Sequence, residues 1–454
     1  MTLYENMEQR DSIQFLCEEF RKHNHIDIEQ SEKYGVKRGL RNADGTGVLA
    51  GLTLICDVVG YEMKDGQRTA IDGELYYRGI RLNDIVDNCV KENRFGFEET
   101  AWLLLFGNLP TKPQLEKFME TIAMARDLPA GFSEDMIQKA PSPNVMNKLA
   151  RSILALYSYD DNPEDQSLEN LMAQSIKLIA ITPTIVVNAY QVKRWVYDKK
   201  SMYFHQNKRE YSLAQNILRT MRPDKIFTEE EAKLLDLCLI LHADHGGGNN
   251  SAFATRVLSS SGTDTYSALS AAVGSLKGPR HGGANIKVTE MMEYIKAGVS
   301  DWNDDGQIKD FLRRILNREE GDGSGLIYGM GHAVYTKSDP RAVILKRNAE
   351  QLAEARGLDK EFELLKRVER LAPEVFYEVK GDKKPICANV DFYSGFVYKM
   401  LRLPPELFTP LFAVARMPGW CAHRIEEILT GGRIMRPAYK ALMTPRAYIP
   451  LDQR

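Results

Sequence analysis

The sequence lacks the features that mark membrane, secreted and nucleic-acid-binding proteins. None of its apolar stretches approaches roughly eighteen uninterrupted residues, so no membrane span is expected. The acidic N-terminus has neither an apolar signal core nor the Arg-rich, acid-poor composition of a transit peptide. A formal charge of −2 over 454 residues creates no general field that would gather nucleic acid or an anionic membrane. An anionic ligand must therefore be held by a local group of arginines, and no nucleic acid or membrane partner is expected.

Cysteine is scarce, and its positions show no pairing pattern such as CxxC. A chain that is 43% hydrophobic and of this length can bury a large core without disulfide bonds. Reduced thiols and a cytoplasmic location are therefore predicted. The six cysteines are Cys17, Cys56, Cys89, Cys238, Cys387 and Cys421.

Strand signals are also few, and they are confined to residues 48–80. Short β-rich runs separated by Asp-Gly turns predict small hairpins there. Residues 1–45 read as a polar helical arm, and the remainder has apolar residues at helical spacing. An all-α fold with short β-hairpins near the N-terminus is therefore predicted. The predicted helices are 97–106, 113–126, 145–158, 167–180, 184–199, 212–220, 229–243, 266–277, 284–297, 307–316, 341–355, 359–371, 391–402, 408–416 and 419–429.

Three glycine-rich turns each place a histidine beside a helix end. They cover residues 242–249, 278–285 and 329–334. Glycine permits unusual backbone angles and lets a ligand touch the main chain. A single histidine in such a turn is most often a half-buried side chain with satisfied hydrogen bonds. Three of them in similar settings, with arginines nearby, favour a functional site.

The spacing His242-x-x-His245 also suggests zinc ligands on one helix face. The glycines that follow break that helix, and no third ligand stands at a convincing position. The Gly-Gly-Gly run suggests a phosphate loop, but it lacks the GxxxxGK[ST] pattern and does not follow a strand. No metal site is therefore predicted.

His281 and Asp391 are the strongest candidates for acid–base chemistry. His281 lies just before the predicted helix 284–297, where the helix dipole disfavours the imidazolium form. A neutral histidine there can donate a hydrogen bond to an oxygen that is becoming an enolate. Asp391 is either the N-cap of the helix that follows it or a general base in a partly apolar pocket.

Three arginines are candidates for binding carboxylates. Arg341 follows Asp339-Pro340, Arg416 ends the run Phe-Ala-Val-Ala-Arg, and Arg436 precedes Pro437. The planar guanidinium group can form two parallel hydrogen bonds with a carboxylate. A single arginine is usually a solvated surface charge, so this interpretation depends on the surrounding motifs.

The turns, taken together and in order, resemble the citrate synthase family from about residue 45 to the C-terminus. Residues 72–79 and 98–110 resemble the family's "G-x-L-x-YRG" and "E-x-x-x-LLL-x-G-x-LP" segments. The more specific motifs are GPRHGGAN at 278–285, GMGHAVYTKSDPR at 329–341 and NVDFYSG at 389–395. Their combination identifies the chain as a member of this family.

The resemblance implies a role for each candidate. His281 would hydrogen-bond the thioester oxygen, and His332 would polarise the ketone of oxaloacetate. Asp391 would remove the acyl α-proton, and His245 would contact oxaloacetate. Arg341, Arg416 and Arg436 would bind its carboxylates, with Arg436 reaching in from the neighbouring subunit of a homodimer.

The same resemblance implies acetyl-coenzyme A as co-substrate, with no permanently bound cofactor. The expected coenzyme A contacts are Gly329, Gly331, Ala333, Val334 and Lys337. The sequence departs from many family members in two places. It has Gly246 directly after the oxaloacetate-contacting histidine, where many have Glu, and Thr336 where many have a basic residue. The second departure leaves open which side chains meet the coenzyme A phosphates.

The family fold implies a division into an arm and two helical domains. The arm is 1–45, the large domain is 46–285 plus 395–454, and the small coenzyme A-binding domain is 286–394. The site residues straddle the boundary, so closure of the domains would assemble the site and exclude water.

Three alternative functions remain at this point. A 2-methylcitrate synthase, which takes propionyl-coenzyme A, shares all of these motifs. A metal-dependent hydrolase would use the two histidines of the HxxH spacing. A catalytically silent helical binding protein would not need Asp391, His281 and His332 together.

Overall fold

The computed structural model describes residues 7–23, 27–42, 45–64, 67–381 and 385–453. The chain divides into two compact units, one formed by residues 1–51 with 436–454 and the other by residues 52–435. Within the described residues the structure is mostly helical, with one small sheet. The predicted all-α class is therefore confirmed.

The seventeen α-helices of the described residues are α1 Met7–His23, α2 Gln30–Lys33, α3 Leu82–Lys91, α4 Phe97–Phe106, α5 Lys112–Met124, α6 Val145–Ala155, α7 Leu168–Val196, α8 Leu213–Met221, α9 Glu229–His242, α10 Asn250–Ser260, α11 Thr265–Leu276, α12 Ala284–Gly298, α13 Asp305–Leu316, α14 Pro340–Ala355, α15 Asp359–Lys380, α16 Val390–Met400 and α17 Phe408–Leu429. Local sequence signals explain many of the boundaries. Helix α4 ends as predicted at Gly107, which takes a left-handed φ of 86° that favours glycine. Helices α8 and α9 begin with capping boxes, in which Ser212 and Thr228 accept backbone N–H groups.

The sheet is antiparallel and three-stranded, in the order β1 Cys56–Lys64, β2 Gln67–Tyr77 and β3 Ile80–Arg81. Strand β1 pairs with β2 from Cys56↔Tyr77 to Lys64↔Gln67, with a register shift between Val59 and Tyr61. The sheet confirms the predicted hairpin, whose Asp65-Gly66 turn lies outside the described residues.

Helices α7 and α17 pack together in the core of the larger unit. Helix α7 is long and apolar enough to cross a membrane by length and composition, but 72% of the relevant window is buried inside the protein. That burial is typical of a core helix. Helix α17 also contacts α9, α10 and α11, and almost every residue from Phe408 to Ile425 is buried.

Two predicted helix breaks are wrong. The predicted helices 167–180 and 184–199 form the single helix α7, and 408–416 and 419–429 form α17. Both helices run through a proline, Pro183 and Pro418, without interruption. Proline removes one backbone hydrogen bond from a helix. Here buried neighbours on several sides hold the helix in place, since tertiary packing supplies most helical stability.

Helices α12 to α16 pack mainly on one another. The predicted boundaries at 286 and 394 stay a prediction. In the unit formed by 1–51 and 436–454, α1 and α2 precede a bridge between Arg41 and Gly47. Lys440 lies over the ring of Tyr34 at 5.7 Å within that same unit.

Candidate active site

Two of the three glycine-rich turns meet through their histidines. His245 follows the end of α9, and its ring centroid is 5.1 Å from that of His332. The Tyr335 ring stacks on His332 at 4.7 Å. Burial, reinforced by the charges of Arg341 and Arg416, places the pKa of His245 well below its ordinary value. His245 is therefore neutral at physiological pH.

The backbone fixes the tautomer of neutral His332. The N–H groups of Val334 and Tyr335 each donate to its Nδ1 over 3.1 Å. Because Nδ1 accepts, the ring proton of the neutral form is on Nε2. His332 can therefore donate a hydrogen bond from Nε2.

The loop that carries His332 is held by the sheet. The Gly73 N–H donates to the Ser338 carbonyl over 3.1 Å, and a Cβ at Gly73 would collide with that carbonyl and with the Tyr335 ring. A Cβ at Gly60 would likewise collide with the Val334 carbonyl. Both glycines are therefore required for the close approach of the sheet to this loop.

The same loop is joined to the segment that leads into α16. The Gly331 N–H donates to the Cys387 carbonyl over 2.8 Å, and the Asn389 side chain donates to the Gly331 carbonyl over 2.9 Å. The Asn389 N–H donates to the Gly329 carbonyl over 2.8 Å. The positions of His332 and of the first turn of α16, which holds Asp391, are thus linked by main-chain contacts.

His281 lies in the turn that precedes α12, as predicted. Its Nε2 is 3.1 Å from the Ser251 hydroxyl oxygen, and Trp420 Nε1 donates to that oxygen over 3.1 Å. Burial, with a smaller contribution from the charge of Arg416, lowers the pKa of His281 to about 4. The neutral imidazole expected from the sequence is therefore present at pH 7.

Asp391 is in the first turn of α16 but is not its N-cap. The cap is Asn389, whose side chain accepts the Asp391 N–H over 3.0 Å, so the N-cap interpretation of Asp391 is wrong. Asp391 Oδ1 is fully buried and has no hydrogen-bond partner among the described residues. Burial raises the pKa of Asp391 to about 7, although the charge of Arg341 opposes the rise. A carboxyl group of this kind can accept a proton near neutral pH.

Two of the three predicted arginines are buried close to these groups. Arg341 donates from Nε and Nη2 to Asp339 over 3.0 and 2.8 Å. Arg416 donates from Nε to the His242 carbonyl over 2.7 Å, and its charge lowers the pKa of both His245 and His281. Arg436 belongs to the other compact unit. Its role at the site stays a prediction.

The residues expected to contact coenzyme A lie in different surroundings. Gly329 is packed so that a Cβ would collide with Val288 and Phe392. Ala333 is exposed, and the exposed Lys337 forms an ion pair with Asp72 over 3.0 Å. Gly331, at φ 91°, and the half-buried Val334 belong to the same loop.

The departure at Gly246 has a backbone cause. Gly246 takes a φ of 82°, a left-handed conformation that side chains disfavour, and a Cβ there would lie 3.2 Å from the Val58 side chain. The glutamate that many family members carry after this histidine would be strained here.

His242 does not behave as half of a zinc pair. It is fully buried against Phe412, with ring centroids 4.2 Å apart, and burial puts its pKa well below the ordinary value. Among the described residues no group of three or more His, Cys, Asp or Glu side chains is placed to hold a metal ion.

Several supporting residues were missed by sequence reasoning. Asp339 orients Arg341 and also accepts the Val390 N–H over 3.2 Å. Ser251 and Trp420 support His281, and their spacing carries no motif. One signal could have identified Trp420. It follows Arg416 by four residues and therefore lies on the same face of α17.

Buried His245, Arg341 and Arg416 lie with half-buried Asp391, His281 and His332 in a mostly helical protein. A set of this composition is typical of an enzyme site for an anionic substrate. A family model described as citrate synthase, C-terminal domain, matches residues 43–438. The chain belongs to the citrate synthase family and is an enzyme of that family.

Relatives named citrate synthase and solved structures of citrate synthases agree with that assignment. The citrate synthase of Acidithiobacillus ferridurans is 36% identical over 84% of this chain and 93% of its own length. That of Synechocystis is 33% identical over 84% of this chain and 89% of its own length. A ternary complex of the Thermoplasma acidophilum citrate synthase with carboxymethyl coenzyme A and oxaloacetate has a TM-score of 0.75 at 26% identity. It matches 92% of this chain and 99% of that chain.

Proposed function

We propose that the enzyme condenses acetyl-coenzyme A with oxaloacetate and water to give citrate and coenzyme A. The observation that carries this proposal is that Asp391 and His281 both lie within the influence of the Arg416 charge, with a pKa of about 7 for Asp391 and about 4 for His281. Two groups whose environments move their pKa values in opposite directions are typical of an acid–base pair.

In the first step Asp391 takes a proton from the methyl group of the thioester. His281 donates a hydrogen bond to the thioester oxygen as it becomes an enol. The α-carbon then attacks the ketone carbon of oxaloacetate. The Nε2–H of His332 donates a hydrogen bond to the ketone oxygen, which takes up a proton as it becomes the hydroxyl group of the citryl thioester. Water finally hydrolyses the citryl thioester, which releases citrate and the free thiol of coenzyme A.

Oxaloacetate is a dianion, so its binding requires cationic donors. Arg341 and Arg416 supply buried guanidinium groups, and His245 supplies a neutral polar ring beside His332. We propose that Arg436 of a second subunit completes this set in a homodimer. Exposed apolar side chains in the C-terminal segment support such an interface, since Tyr439 is 94% exposed and Tyr448 is 82% exposed in the single chain.

We also propose a cytoplasmic location for the enzyme. The described cysteines are free thiols, which supports this location.

The test is release of free thiol from acetyl-coenzyme A, followed with a thiol reagent with and without oxaloacetate. Thiol should appear only when both substrates are present. Thiol release that is independent of oxaloacetate would contradict the proposal.

The second candidate is the reaction of propionyl-coenzyme A to 2-methylcitrate, because every motif described above serves both reactions. Comparison of kcat/KM for the two thioesters at saturating oxaloacetate distinguishes them. We expect the acetyl thioester to have the higher value.

A further inference from the structure

The two buried arginines of the site differ in what their guanidinium groups contact. Arg341 is held by Asp339 through two hydrogen bonds. Arg416 is also fully buried and lies over the Phe412 ring at 4.7 Å, but within the described part of the chain only its Nε forms a hydrogen bond, to the His242 carbonyl. Its Nη1 and Nη2 are buried and have no hydrogen-bond partner among the described residues. Two free donors on a planar, buried cation form a site for a carboxylate.

A carboxylate of the protein itself, that of Asp244, packs against the same helix, where a Cβ at Gly419 would collide with its Oδ2. Burial lowers the pKa of Arg416, and the negative charge of Asp244 is the largest influence opposing this fall. Arg416 in turn helps to lower the pKa of Asp244, which lies at about 2 although burial alone would raise it. Asp244 therefore balances the charge of Arg416 without hydrogen-bonding to its Nη1 or Nη2.

Asp244 is held by other donors. The Gly246 N–H donates to its Oδ1 over 2.7 Å, and His423 Nε2 is 3.1 Å from its Oδ2. On the other side of the imidazole, Arg256 Nε and Nη2 are 3.2 and 2.8 Å from His423 Nδ1. A guanidinium group has donors and no acceptors, so Nδ1 must accept. The ring proton of His423 is therefore on Nε2 and points at Asp244.

Helix α17 contains both Arg416 and His423, the residue that contacts Asp244. His423 follows Arg416 by seven residues and lies on the same helix face. Glu427, one turn further, binds Arg256 over 2.9 Å and so fixes the group that sets the His423 tautomer. Gly419, which lies between Arg416 and His423, allows α17 to pack closely against Asp244. A Cβ at this position would collide with Asp244.

We propose that His423 is a positioning residue that holds Asp244 as a countercharge for Arg416 while keeping it off Nη1 and Nη2. Those two donors then remain available for a carboxylate of the substrate. The inference rests on the proposed function, in which that carboxylate belongs to oxaloacetate.

A matched pair of variants tests the proposal. His423→Asn places an amide at the position of Nδ1, so it keeps a polar partner for Arg256 but loses the donor that faces Asp244. His423→Gln places its amide at the position of Nε2 and keeps that donor. A hydrogen bond to a charged group contributes about 1.5–3 kcal/mol, so His423→Asn should weaken oxaloacetate binding by roughly 10- to 100-fold. His423→Gln should bind oxaloacetate nearly as the parent does.

A second substitution separates positioning from a general structural defect. In the double variant His423→Asn/Asp244→Asn the competing charge is gone, so oxaloacetate affinity should recover at least in part. A structural defect would instead become worse. Calorimetry measures the oxaloacetate affinity of each variant, and thermal unfolding reports whether the variant is folded. The KM for the acyl thioester should stay unchanged. If His423→Asn does not fold, His423→Leu replaces it under the same expectation.

The outcomes are distinguishable. Parent-like oxaloacetate binding by His423→Asn, or a double variant no better than the single one, overturns the positioning role while leaving the proposed function intact. If the parent enzyme neither binds oxaloacetate nor releases thiol in its presence, the proposed function fails, and this inference fails with it.

Discussion

At the scale of single residues, the environment of each acid–base group determines what it can do. Asp391 and His281 are ordinary side chains whose pKa values move in opposite directions because both charged forms are disfavoured by burial. The carboxyl group becomes a base that titrates near neutrality, and the imidazole stays neutral. Neither group needs a metal ion to reach that state.

The first prediction concerns the pH dependence of activity. Asp391 must be ionised to accept a proton, and its pKa is about 7. In the free enzyme, kcat/KM for the acyl thioester should fall about tenfold per pH unit below pH 7 and level off above it. His281, with a pKa of about 4, should add no further loss between pH 5 and 8. A pH profile that is flat from 5 to 8 would contradict this assignment.

The second prediction concerns stability. The pKa of Asp391 rises from its ordinary value of 3.8 to about 7 on folding. The folded state therefore binds the proton more tightly, so the parent loses stability as pH rises from 4 through 7. Asp391→Asn does not titrate and should unfold at a higher temperature than the parent at pH 8. The gap should close as pH falls towards 4. Thermal unfolding at the two pH values checks this, and an equal gap at both would contradict it.

The sequence predicted some of these residue properties and not others. The sequence predicted a neutral His281 from the helix dipole, whereas in the structure burial and the charge of Arg416 lower its pKa. The N-cap at Asn389 was missed because Asn389 and Asp391 are both good caps, and only the tertiary contact of Asn389 with Gly331 favours the first. Arg341 and Asp339 are only two residues apart in the sequence. No sequence pattern distinguishes an aspartate that pairs with this arginine from one that only caps the helix.

At the scale of elements, the loop 329–341 is held between the β1–β2 sheet and the start of α16. Several of its contacts use main-chain atoms, and Gly60 and Gly73 of the sheet permit the close approach on that side. The geometry of His332 therefore depends on an element that contributes no side chain to the predicted chemistry.

The third prediction uses this contact. Gly73→Ala places a methyl group against the Ser338 carbonyl and the Tyr335 ring. Overpacking of this kind costs about 1–3 kcal/mol, and the displaced loop should also weaken oxaloacetate binding. Gly274→Ala, in α11 and with no atom within 4 Å of the added Cβ, is the matched control and should be neutral or slightly stabilising. Urea unfolding and oxaloacetate affinity measure both effects. If Gly73→Ala matched Gly274→Ala in both, the loop would not depend on this contact.

Local sequence predicts where some helices end but not whether a helix continues through a proline. Gly107 ends α4 as predicted, because its left-handed conformation is a local property. Pro183 and Pro418 do not end their helices, because the surrounding core decides whether one missing hydrogen bond is tolerated. That information is distributed over distant residues, so no local pattern contains it.

At the scale of the whole molecule, the predicted site brings together residues from segments far apart in the sequence. His245, His281 and His332 come from three separate turns, Asp391 comes from the start of α16, and Arg416 comes from the core helix α17. The family resemblance predicted this assembly, whereas composition and periodicity predicted only a large helical protein. The domain boundaries at 286 and 394 and the place of Arg436 stay predictions.

The fourth prediction tests the shared site of the proposed homodimer. Arg436→Ala chains and His281→Ala chains should each be nearly inactive alone. After subunit exchange, a mixed dimer contains one site in which both residues are intact, so part of the parent activity should return. Exchange is verified with subunits that carry different tags. Exchange without any recovery of activity would show that Arg436 does not serve a neighbouring site.

The central claim is that Asp391 removes the α-proton of the thioester. The most direct measurement uses acetyl-coenzyme A deuterated in its methyl group, with a non-reacting analogue of oxaloacetate, and follows loss of deuterium to water. The parent should wash out the label. Asp391→Asn should lose the exchange and at least about 10²–10⁴-fold in turnover, while binding oxaloacetate nearly normally. Washout by Asp391→Asn at the parent rate would contradict the account.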